Sequence, residues 1–193
     1  KKFVKSKTSK EIMVVNSHFH PDHSNGNHKW EKVYIGENDL PSFSSDDVYF
    51  KLFGDISSAV YENYPKVRLL KPVINKVFRT RKGRTKYIPL RDGEKINLGE
   101  RTLIVKDFPG HTPGSITLLD PKQKLIYAGD ACCMATWLFT NPGCSVHTYA
   151  ETARNYYRDV KKEGYKKLYG SHVPFPNRIS FIKDYANWVD RLT

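Results

Sequence analysis

The sequence lacks any long hydrophobic run. Its longest apolar stretches, such as residues 12–15, have the length of a β-strand, whereas a helix that crosses a bilayer needs about 20 apolar residues in succession. The basic first ten residues also lack the apolar stretch of a secretory signal. We therefore expect this chain to contain no membrane-spanning segment and no export signal.

Cysteine is also scarce, with three residues, Cys132, Cys133 and Cys144, in one region. An odd number of cysteines crowded together is a poor framework for disulfide bonds. The pattern favours a reducing, cytoplasmic setting for the chain. We interpret Cys132 and Cys133 as small buried residues or as neighbours of a functional site.

Acidic residues are few beside the basic ones, 20 against 32, and the net charge is +12. A potential of that sign favours anionic partners such as nucleic acid, phosphorylated metabolites or carboxylate substrates. Much of the excess lies in residues 66–106, where a single aromatic residue, Tyr87, adjoins the basic run 81–86. Because single-stranded nucleic acid is bound by stacking on aromatic side chains, we favour a solvated basic surface and a small-molecule substrate over nucleic acid.

The chain contains enough apolar material for one globular domain. Hydrophobic residues make up 39% and aromatic residues 13% of it, and 193 residues suffice for one core rather than two. We expect a single domain over residues 1–193, in which residues 37–100 form an insertion or lid. Five aromatic residues of that region line a pocket or belong to the core: Tyr49, Phe50, Phe53, Tyr61 and Tyr64.

Short apolar runs bounded by turn residues predict β-strands. These runs cover residues 12–15, 33–35, 102–105, 115–119 and 125–128. Thr148 and Glu151 form a capping box that predicts the start of a helix. The apolar face of that helix contains Tyr149, Ala153, Tyr156 and Val160, and a last amphipathic helix contains Ile182, Tyr185 and Val189. Strands flanked by helices predict an α+β fold.

Four potential metal ligands follow the first predicted strand: His18, His20, Asp22 and His23. Histidines two positions apart on an extended loop point toward the same side, and Pro21 stiffens the loop between the ligands. Neutral imidazole and carboxylate are ligands that zinc prefers. Such a density of ligands in a chain with seven histidines predicts a metal site.

Three more donor residues stand in a similar setting, each at a glycine-containing turn after a predicted strand. His111 lies in the sequence Gly-His-Thr-Pro-Gly at residues 110–114, Asp130 follows Gly129, and His172 ends a Gly-Ser-His segment. Glycine permits a sharp turn that leaves the donor at the edge of the sheet. Each of these residues alone has an ordinary interpretation as a turn residue, a cap or a surface histidine. Together with the first motif they predict a larger metal centre.

These motifs, in this order, resemble those of the metallo-β-lactamase superfamily, and the resemblance covers nearly all of the chain. It implies a four-layer αββα sandwich with the metals at one edge of the paired sheets. It also implies two metal sites bridged by Asp130: His18, His20 and His111 in the first, and Asp22, His23 and His172 in the second. A bridging aspartate is similar to the ligand sets of glyoxalase II, lactonases and RNase Z.

The resemblance implies a hydrolase with two Zn²⁺ ions, or Fe or Mn in their place. Two such ions about 3.5–4 Å apart share a water, lower its pKa and stabilise the oxyanion formed by hydroxide attack. Asp22 is then the catalytic residue that orients the hydroxide and passes its proton to the leaving group. The expected substrate is a small ester, thioester, lactone or β-lactam.

One departure from the family concerns the strands before the first metal motif. The family has several strands there, whereas His18 is reached almost at once and residue 1 is a lysine. We therefore expect that N-terminal strands of the fold are missing from this chain. A preceding segment of the same protein, or another chain, would complete the sheet, since its inner face would otherwise be exposed.

Three alternatives to this hydrolase stay open at the level of sequence. A metal-dependent nuclease would use the same chemistry on phosphodiesters, with the basic residues 79–86 as its support. A mono-iron sulfur dioxygenase would need only His18, His20 and His111, so the other donors speak against it. A non-catalytic interaction module would hold its metal purely for stability, in a closed site with saturated coordination.

Overall fold

The computed structural model describes residues 1–44, 65–70, 84–134, 136–138, 145–172, 176–189 and 191. The strands within these residues are β1 Val15–Asn16, β2 Lys32–Gly36, β3 Lys86–Leu90, β4 Lys95–Asn97, β5 Thr102–Asp107, β6 Ile116–Asp120, β7 Leu125–Gly129, β8 Lys167–Gly170 and β9 Asn177–Arg178. The helices are α1 Lys2–Lys5, α2 Pro21–Ser24, α3 Leu40–Ser44, α4 Val146–Lys162 and α5 Ser180–Val189. Short 3₁₀ helices cover Asn27–Lys29, Glu37–Asp39 and Pro65–Leu70.

The strands form two sheets. The smaller sheet has three parallel strands in the order β1-β2-β3. The larger one has six strands in the order β4 to β9, antiparallel except for the parallel pair β7 and β8. Its β6–β7 turn is closed by Asp120, whose Oδ1 accepts a hydrogen bond from the backbone N–H of Gln123 at 2.9 Å.

Side chains that alternate along the large sheet divide its two faces. Ile126 and Ala128 of β7 are fully buried on the face covered by α4 and α5. On the opposite face, Val105 and Ile116 pack between the sheets together with Leu90 of β3. Successive side chains of a strand point to opposite faces, so a sheet covered on both sides buries apolar side chains on each face.

On the outer face of the small sheet, Ile35 of β2 packs with Phe19 and with Leu40 of α3. The molecule therefore has helices on both outer faces of two packed sheets. This arrangement confirms the expected α+β fold and its four-layer order.

Helix α4 is set by its cap and by its buried face. The side chain of Ser145 accepts a hydrogen bond from the backbone N–H of Thr148 at 3.0 Å, so the helix begins at Val146. The prediction that Thr148 and Glu151 form the capping box is therefore wrong, because a serine three residues earlier takes the capping position. The predicted apolar face is confirmed, since its buried residues are Tyr149, Ala150, Ala153, Tyr156 and Val160.

Three predicted strands agree with the structure to within two residues at each end, and 33–35 lies inside β2. The run 12–15 is the exception, because the strand there is Val15–Asn16. Residue 14 is already paired, however, since its carbonyl accepts a hydrogen bond from the backbone N–H of Tyr34 at 2.9 Å. A short strand that extends past the predicted run delivers the chain to residue 17.

The inner face of β7 and β8 carries two aromatic residues that remain partly exposed. The rings of Tyr127 and Tyr169 stack with centroids 5.8 Å apart, and the two residues keep 37% and 40% of their surface accessible. Both lie on the face opposite to the helices. The expectation that further strands cover this face stays a prediction.

Much of the predicted lid lies outside the described residues. Residues 45–64 and 71–83 are among those not described, and with them the five aromatic residues proposed for a pocket. The described part of 37–100 contributes β3 and β4 to the two sheets. Within the described chain, no helix is both long enough and apolar enough to cross a bilayer.

Replacing Ile126 by alanine tests the packing between the large sheet and its helices. Ile126 is fully buried, so Ile126→Ala should lower the free energy of unfolding by about 2–5 kcal/mol through lost apolar contact and the cavity left behind. Urea denaturation followed by circular dichroism measures the change. Leu98, which is 51% exposed, supplies the control, and equal losses in Ile126→Ala and Leu98→Ala would contradict this core.

Candidate metal centre

The first ligand-rich segment connects β1 to α2. His18 and His20 lie in the loop, and Pro21 occupies the first position of the helix, where its missing N–H and fixed φ are tolerated. Asp22 and His23 therefore fall in the first helical turn. Loop and helix together bring these donors to the edge of the sheets at which β5, β7 and β8 end. The remaining donors lie in the loops that follow those three strands.

Three histidines from two loops form what we call the histidine cluster: His18, His20 and His111. One ring nitrogen of each lies within 4.8 Å of the others, and the ring centroids are 4.5–4.7 Å apart. All three residues are buried, and the Nε2 atom of each has no hydrogen-bond partner. The sequence-predicted members of the first site therefore meet in space.

Hydrogen bonds to the Nδ1 atoms define how two of these rings are held. Nδ1 of His111 lies 2.7 Å from the carbonyl oxygen of Trp137, which can only accept, so the proton of a neutral His111 is on Nδ1. Nδ1 of His18 lies 3.1 Å from the hydroxyl of Ser17. The Nε2 lone pair of His111 is thereby left free for a metal ion, as in other metal-binding histidines.

The histidine cluster is neutral at physiological pH. Burial lowers the pKa of His18 well below its ordinary value, and the neighbouring imidazoles lower it further. Burial and the proximity of His111 lower the pKa of His20 to about 3. Burial also lowers the pKa of His111. Neutral imidazole is the form that binds metal ions.

The remaining predicted donors form a second group, which we call the mixed cluster: Asp22, His23, Asp130 and His172. Nε2 of His23 lies 3.3 Å from a carboxylate oxygen of Asp22 and 3.3 Å from one of Asp130. Nε2 of His172 lies 3.4 Å and 3.3 Å from the same two carboxylates. The side chains of Asp22 and His172 are about half exposed, so this cluster forms the open side of the centre.

Asp130 stands between the two clusters. Its Oδ2 atom lies 3.7 Å from Nε2 of His111 and 3.3 Å from Nε2 of His172, and its side chain is 9% exposed. Thr136 braces the loop that carries it, donating a hydrogen bond from Oγ1 to the Asp130 carbonyl at 3.1 Å. The carboxylate can therefore interact with both groups of donors.

Charges within the mixed cluster are strongly coupled. Burial opposes protonation of His23, but the carboxylates of Asp130 and Asp22 outweigh it and raise the pKa of His23 to about 9. Burial favours the neutral form of Asp130, yet His23 and the other histidines lower its pKa to about 2. Nε2 of His23 and Oδ1 of Asp130 form an ion pair at 3.3 Å. Without metal, a proton on His23 neutralises part of the negative charge.

The donors of both clusters fit bound metal ions. Four imidazole Nε2 atoms and one carboxylate oxygen are buried without a hydrogen-bond partner: those of His18, His20, His23 and His111, and Oδ1 of Asp130. Nε2 of His23 and Oδ1 of Asp130 lie 3.3 Å apart and offset each other's charge. The Nε2 atoms of the histidine cluster have no such pairing, and a buried polar atom left unpaired costs about 1–3 kcal/mol, so they need compensation. Cations that accept nitrogen and oxygen donors, such as zinc, iron or manganese, supply it.

Two backbone positions at the centre have unusual conformations. His172 has a φ of 59°, which is uncommon for a residue other than glycine. Such conformations persist where the surrounding structure enforces them, often at functional sites. Gly129 has a φ of 54°, and a Cβ atom there would lie 2.2 Å from Oγ of Ser17. Glycine at 129 thus lets the Asp130 turn contact the residue that precedes His18.

Two buried amides that the sequence did not mark hold the helix α2, which carries Asp22 and His23. Nδ2 of Asn16 donates a hydrogen bond to the carbonyl of His23 at 2.9 Å, and Nδ2 of Asn27 donates one to Oδ1 of Asn16 at 2.7 Å. Both amides are buried. A polar residue at the end of an apolar strand was the one available signal, and it is too common to identify such a contact.

The other candidates from the sequence have mixed outcomes. Cys132 and Cys133 are fully buried, as interpreted, while Cys144 lies outside the described residues. The basic run 79–86 is described only from residue 84 onward. Its nucleic-acid interpretation therefore stays a prediction.

Residues 13–172 match the sequence profile described as the Metallo-beta-lactamase superfamily. The match covers most of the chain, and the chain belongs to this superfamily. Its fold and its two His/Asp clusters agree with this membership. The predicted ligand roles of the individual residues stay predictions.

Two curated relatives match this chain over part of their own length. The chain is 27% identical over 165 residues to the human protein named Acyl-coenzyme A thioesterase MBLAC2 and 28% identical over 173 residues to the chicken protein of that name. Both matches cover 83% of this chain, which spans 56% of the length of each relative.

Solved structures share the fold at low sequence identity. An archaeal metallo-beta-lactamase superfamily protein, ST1585 from Sulfolobus tokodaii, is 16% identical with a TM-score of 0.64, covering 95% of this chain and 69% of its own. TTHA1623, solved in a di-iron-bound form, is 16% identical with a TM-score of 0.61, covering 93% of this chain and 80% of its own. These likenesses concern the fold.

Gly129→Ala tests the close approach between the Asp130 turn and Ser17. Gly164 is a matched control, because its φ of 77° is also positive but no atom would lie within 4 Å of a Cβ atom added there. Both substitutions incur the left-handed backbone cost of about 1–2 kcal/mol. Gly129→Ala should lower the free energy of unfolding by a further ~1–3 kcal/mol through overlap with Ser17. Equal losses in urea denaturation would show that the two segments are not in contact.

Proposed function

We propose that this chain is the metal-binding catalytic part of a hydrolase that uses two divalent cations, with zinc as the first choice, to cleave a small thioester. The observation that carries the proposal is the convergence of seven donor side chains into two clusters that share Asp130. A purely structural metal would need a closed site with saturated coordination. Here the mixed cluster opens to solvent, with Asp22 and His172 about half exposed.

The assignment of ligands follows from the two clusters. His18, His20 and His111 would hold one cation, and Asp22, His23 and His172 the other, with Asp130 in reach of both. Bound cations would supply Lewis acidity and bring the pKa of water toward neutrality. Because the histidine cluster is buried and the mixed cluster is open, the substrate would approach from the side of Asp22 and His172.

The carboxylate of Asp22 lies in this opening and is the group that we propose for proton transfer. Asp22 places Oδ2 3.3 Å from Nε2 of His23 and 3.4 Å from Nε2 of His172, while half of its side chain reaches solvent. A carboxylate in that position can accept a proton from water and release it to a leaving group. A thiolate leaving group departs with little need for protonation, which suits a site with one exposed acid–base residue.

Two observations favour a thioester within the wider class of esters, lactones and β-lactams. The human and chicken relatives are named acyl-coenzyme A thioesterases. The net charge of +12 would also favour the approach of an anionic substrate such as an acyl-coenzyme A. Zinc suits the nitrogen-rich histidine cluster, and the di-iron form of TTHA1623 makes iron the alternative to be tested.

A substrate panel measured with and without metal tests the proposal. Purified chain reconstituted with Zn²⁺, Fe²⁺ or Mn²⁺ should hydrolyse an acyl-coenzyme A, detected by release of the free thiol. A chelator should abolish the activity, and readdition of the metal should restore it. Nitrocefin and a short RNA complete the panel, because the β-lactamase and nuclease alternatives predict their cleavage.

Each outcome of the panel has a distinct meaning. Thiol release that survives complete metal removal would end the proposal of a metallo-hydrolase. Metal-dependent cleavage of the RNA without cleavage of the thioester would replace the thioesterase by the nuclease. Stoichiometric metal binding without turnover of any substrate would support the non-catalytic module.

Asp22→Asn tests the acid–base role of the exposed carboxylate. The amide keeps the shape of the side chain but cannot accept a proton, so kcat should fall by roughly 10²–10³-fold at saturating metal. Asp184→Asn is the control, because Asp184 lies on the exposed side of α5 and its change should leave kcat within about twofold. Full activity of Asp22→Asn with metal bound would remove Asp22 from the mechanism.

A further inference from the structure

Asp39 is a fully buried carboxylate that belongs to neither cluster. It ends the 3₁₀ helix Glu37–Asp39 that follows β2, and no motif in the sequence marks it. Its two oxygens nevertheless accept three hydrogen bonds. A buried charge needs such compensation, and the identity of the donors links it to the metal centre.

Each donor comes from a loop that carries a histidine of the histidine cluster. The backbone N–H of Phe19, between His18 and His20, donates to Oδ2 at 3.0 Å. Thr112, next to His111, donates from its hydroxyl to the same oxygen at 2.7 Å. The backbone N–H of Gly114 donates to Oδ1 at 2.7 Å. One carboxylate thus ties together two segments more than ninety positions apart in sequence.

The polar contacts around Thr112 leave little freedom for a different arrangement. Its backbone N–H donates to Oγ of Ser115 at 3.1 Å, and the Ser115 hydroxyl lies 2.8 Å from that of Thr112. Since the Thr112 hydroxyl donates to Asp39, the Ser115 hydroxyl donates to Thr112. These bonds run in one direction and end at the Asp39 carboxylate.

Steric contact reinforces the connection. A Cβ atom at Gly114 would lie 2.1 Å from the backbone nitrogen of Asp39, and one at Gly36 would lie 2.1 Å from the carbonyl oxygen of Gly114. The end of β2 therefore touches the loop that follows His111 without intervening side chains. Burial raises the pKa of Asp39 to about 6, against the opposing effect of its three donors, so the carboxylate is ionised at neutral pH.

We infer that Asp39 is a positioning residue of the metal centre, whose carboxylate fixes the loop of His18 and His20 against the loop of His111 and so determines how tightly the histidine cluster binds its cation. The inference rests on the proposed ligand set. Residues that orient metal ligands through hydrogen bonds contribute about 10- to 100-fold to metal affinity. The three hydrogen bonds of Asp39 come from Phe19, Thr112 and Gly114, which flank the ligands in sequence, so we expect its effect on metal affinity first.

Asp39→Asn is the sharpest change, because it preserves size while turning one acceptor into a donor. If the amide nitrogen takes the place of Oδ1, it faces the N–H of Gly114; if it takes the place of Oδ2, it faces the donors from Phe19 and Thr112. At least one donor from a ligand loop is left unsatisfied in either case. The two loops can then no longer be held together by all three bonds.

The matched control is Asp120→Asn. Asp120 is equally buried and also accepts a hydrogen bond, from the backbone N–H of Gln123 at 2.9 Å, but it lies at the opposite end of β6 from the His111 loop. Zn²⁺ affinity of each protein is measured by competition with a chromophoric chelator, and unfolding of the metal-free forms by urea. We expect Asp39→Asn to bind the more tightly held of the two Zn²⁺ ions about 10- to 100-fold more weakly than wild type does. The affinity of Asp120→Asn for the same ion should stay within about twofold of the wild-type value.

A second pair of variants applies if Asp39→Asn fails to fold. Thr112→Val removes the hydroxyl but keeps the shape, and Thr112→Ser keeps the hydroxyl, so weaker Zn²⁺ binding in the valine variant with recovery in serine supports the inference. Equal affinities in Thr112→Val, Thr112→Ser and wild type overturn it, as do equal affinities of Asp39→Asn and Asp120→Asn. Absence of Zn²⁺ binding by wild type overturns the proposed function as well, whereas tight wild-type binding that Asp39→Asn retains overturns only the role of Asp39.

Discussion

Burial of three imidazoles side by side is the constraint on which the rest of the structure depends. His18, His20 and His111 place ring nitrogens within 4.8 Å of one another in a region closed to solvent. Neutral rings at this distance leave their Nε2 atoms without partners, and protonated rings would repel one another. A cation shared by the three nitrogens removes both costs. The loops therefore hold the three imidazole rings in an arrangement that would become favourable when a metal ion binds.

The two sheets make this arrangement possible because they fix where the loops begin. Strand β1 and the large sheet are joined directly next to the centre, where the backbone N–H of Ile116 donates a hydrogen bond to the carbonyl of Ser17 at 2.9 Å. Strands β7 and β8 are parallel neighbours, so the turns that follow them, with Asp130 and His172, lie at the same end of the sheet. Strand order thus places Asp130 and His172 at the same end of the sheet although they are distant in sequence.

The two clusters differ in exposure and in charge, and that difference divides their roles. Burial keeps the histidine cluster neutral, which suits a permanent ligand set. Asp22, His23 and His172 lie nearer to solvent and combine with Asp130 into a group of mixed charge. Asp130 contacts both sides, with oxygens 3.3 Å from His172 and 3.7 Å from His111. Under the proposed function, the substrate would therefore react on the open side of the centre.

Sequence alone predicted the donors because their identity is local: His18 to His23 fill one short segment, and each later donor follows a glycine turn. It also predicted the buried face of α4, since that pattern depends on helical periodicity. Residues that act through tertiary contacts escaped it. Asp39 resembles any loop aspartate until Phe19, Thr112 and Gly114 are seen around it, and Ser145 displaced Thr148 as the cap because several residues in that stretch can accept the same bond.

The most direct test of the two-cation centre is anomalous diffraction from crystals of the zinc-loaded chain, recorded on both sides of the zinc absorption edge. We expect two anomalous peaks. One should lie about 2.0–2.1 Å from Nε2 of His18, His20 and His111, and the other at similar distances from His23 and His172, with Asp130 beside both. A single zinc ion bound away from these side chains, with the histidine cluster empty, would contradict the two-cation centre.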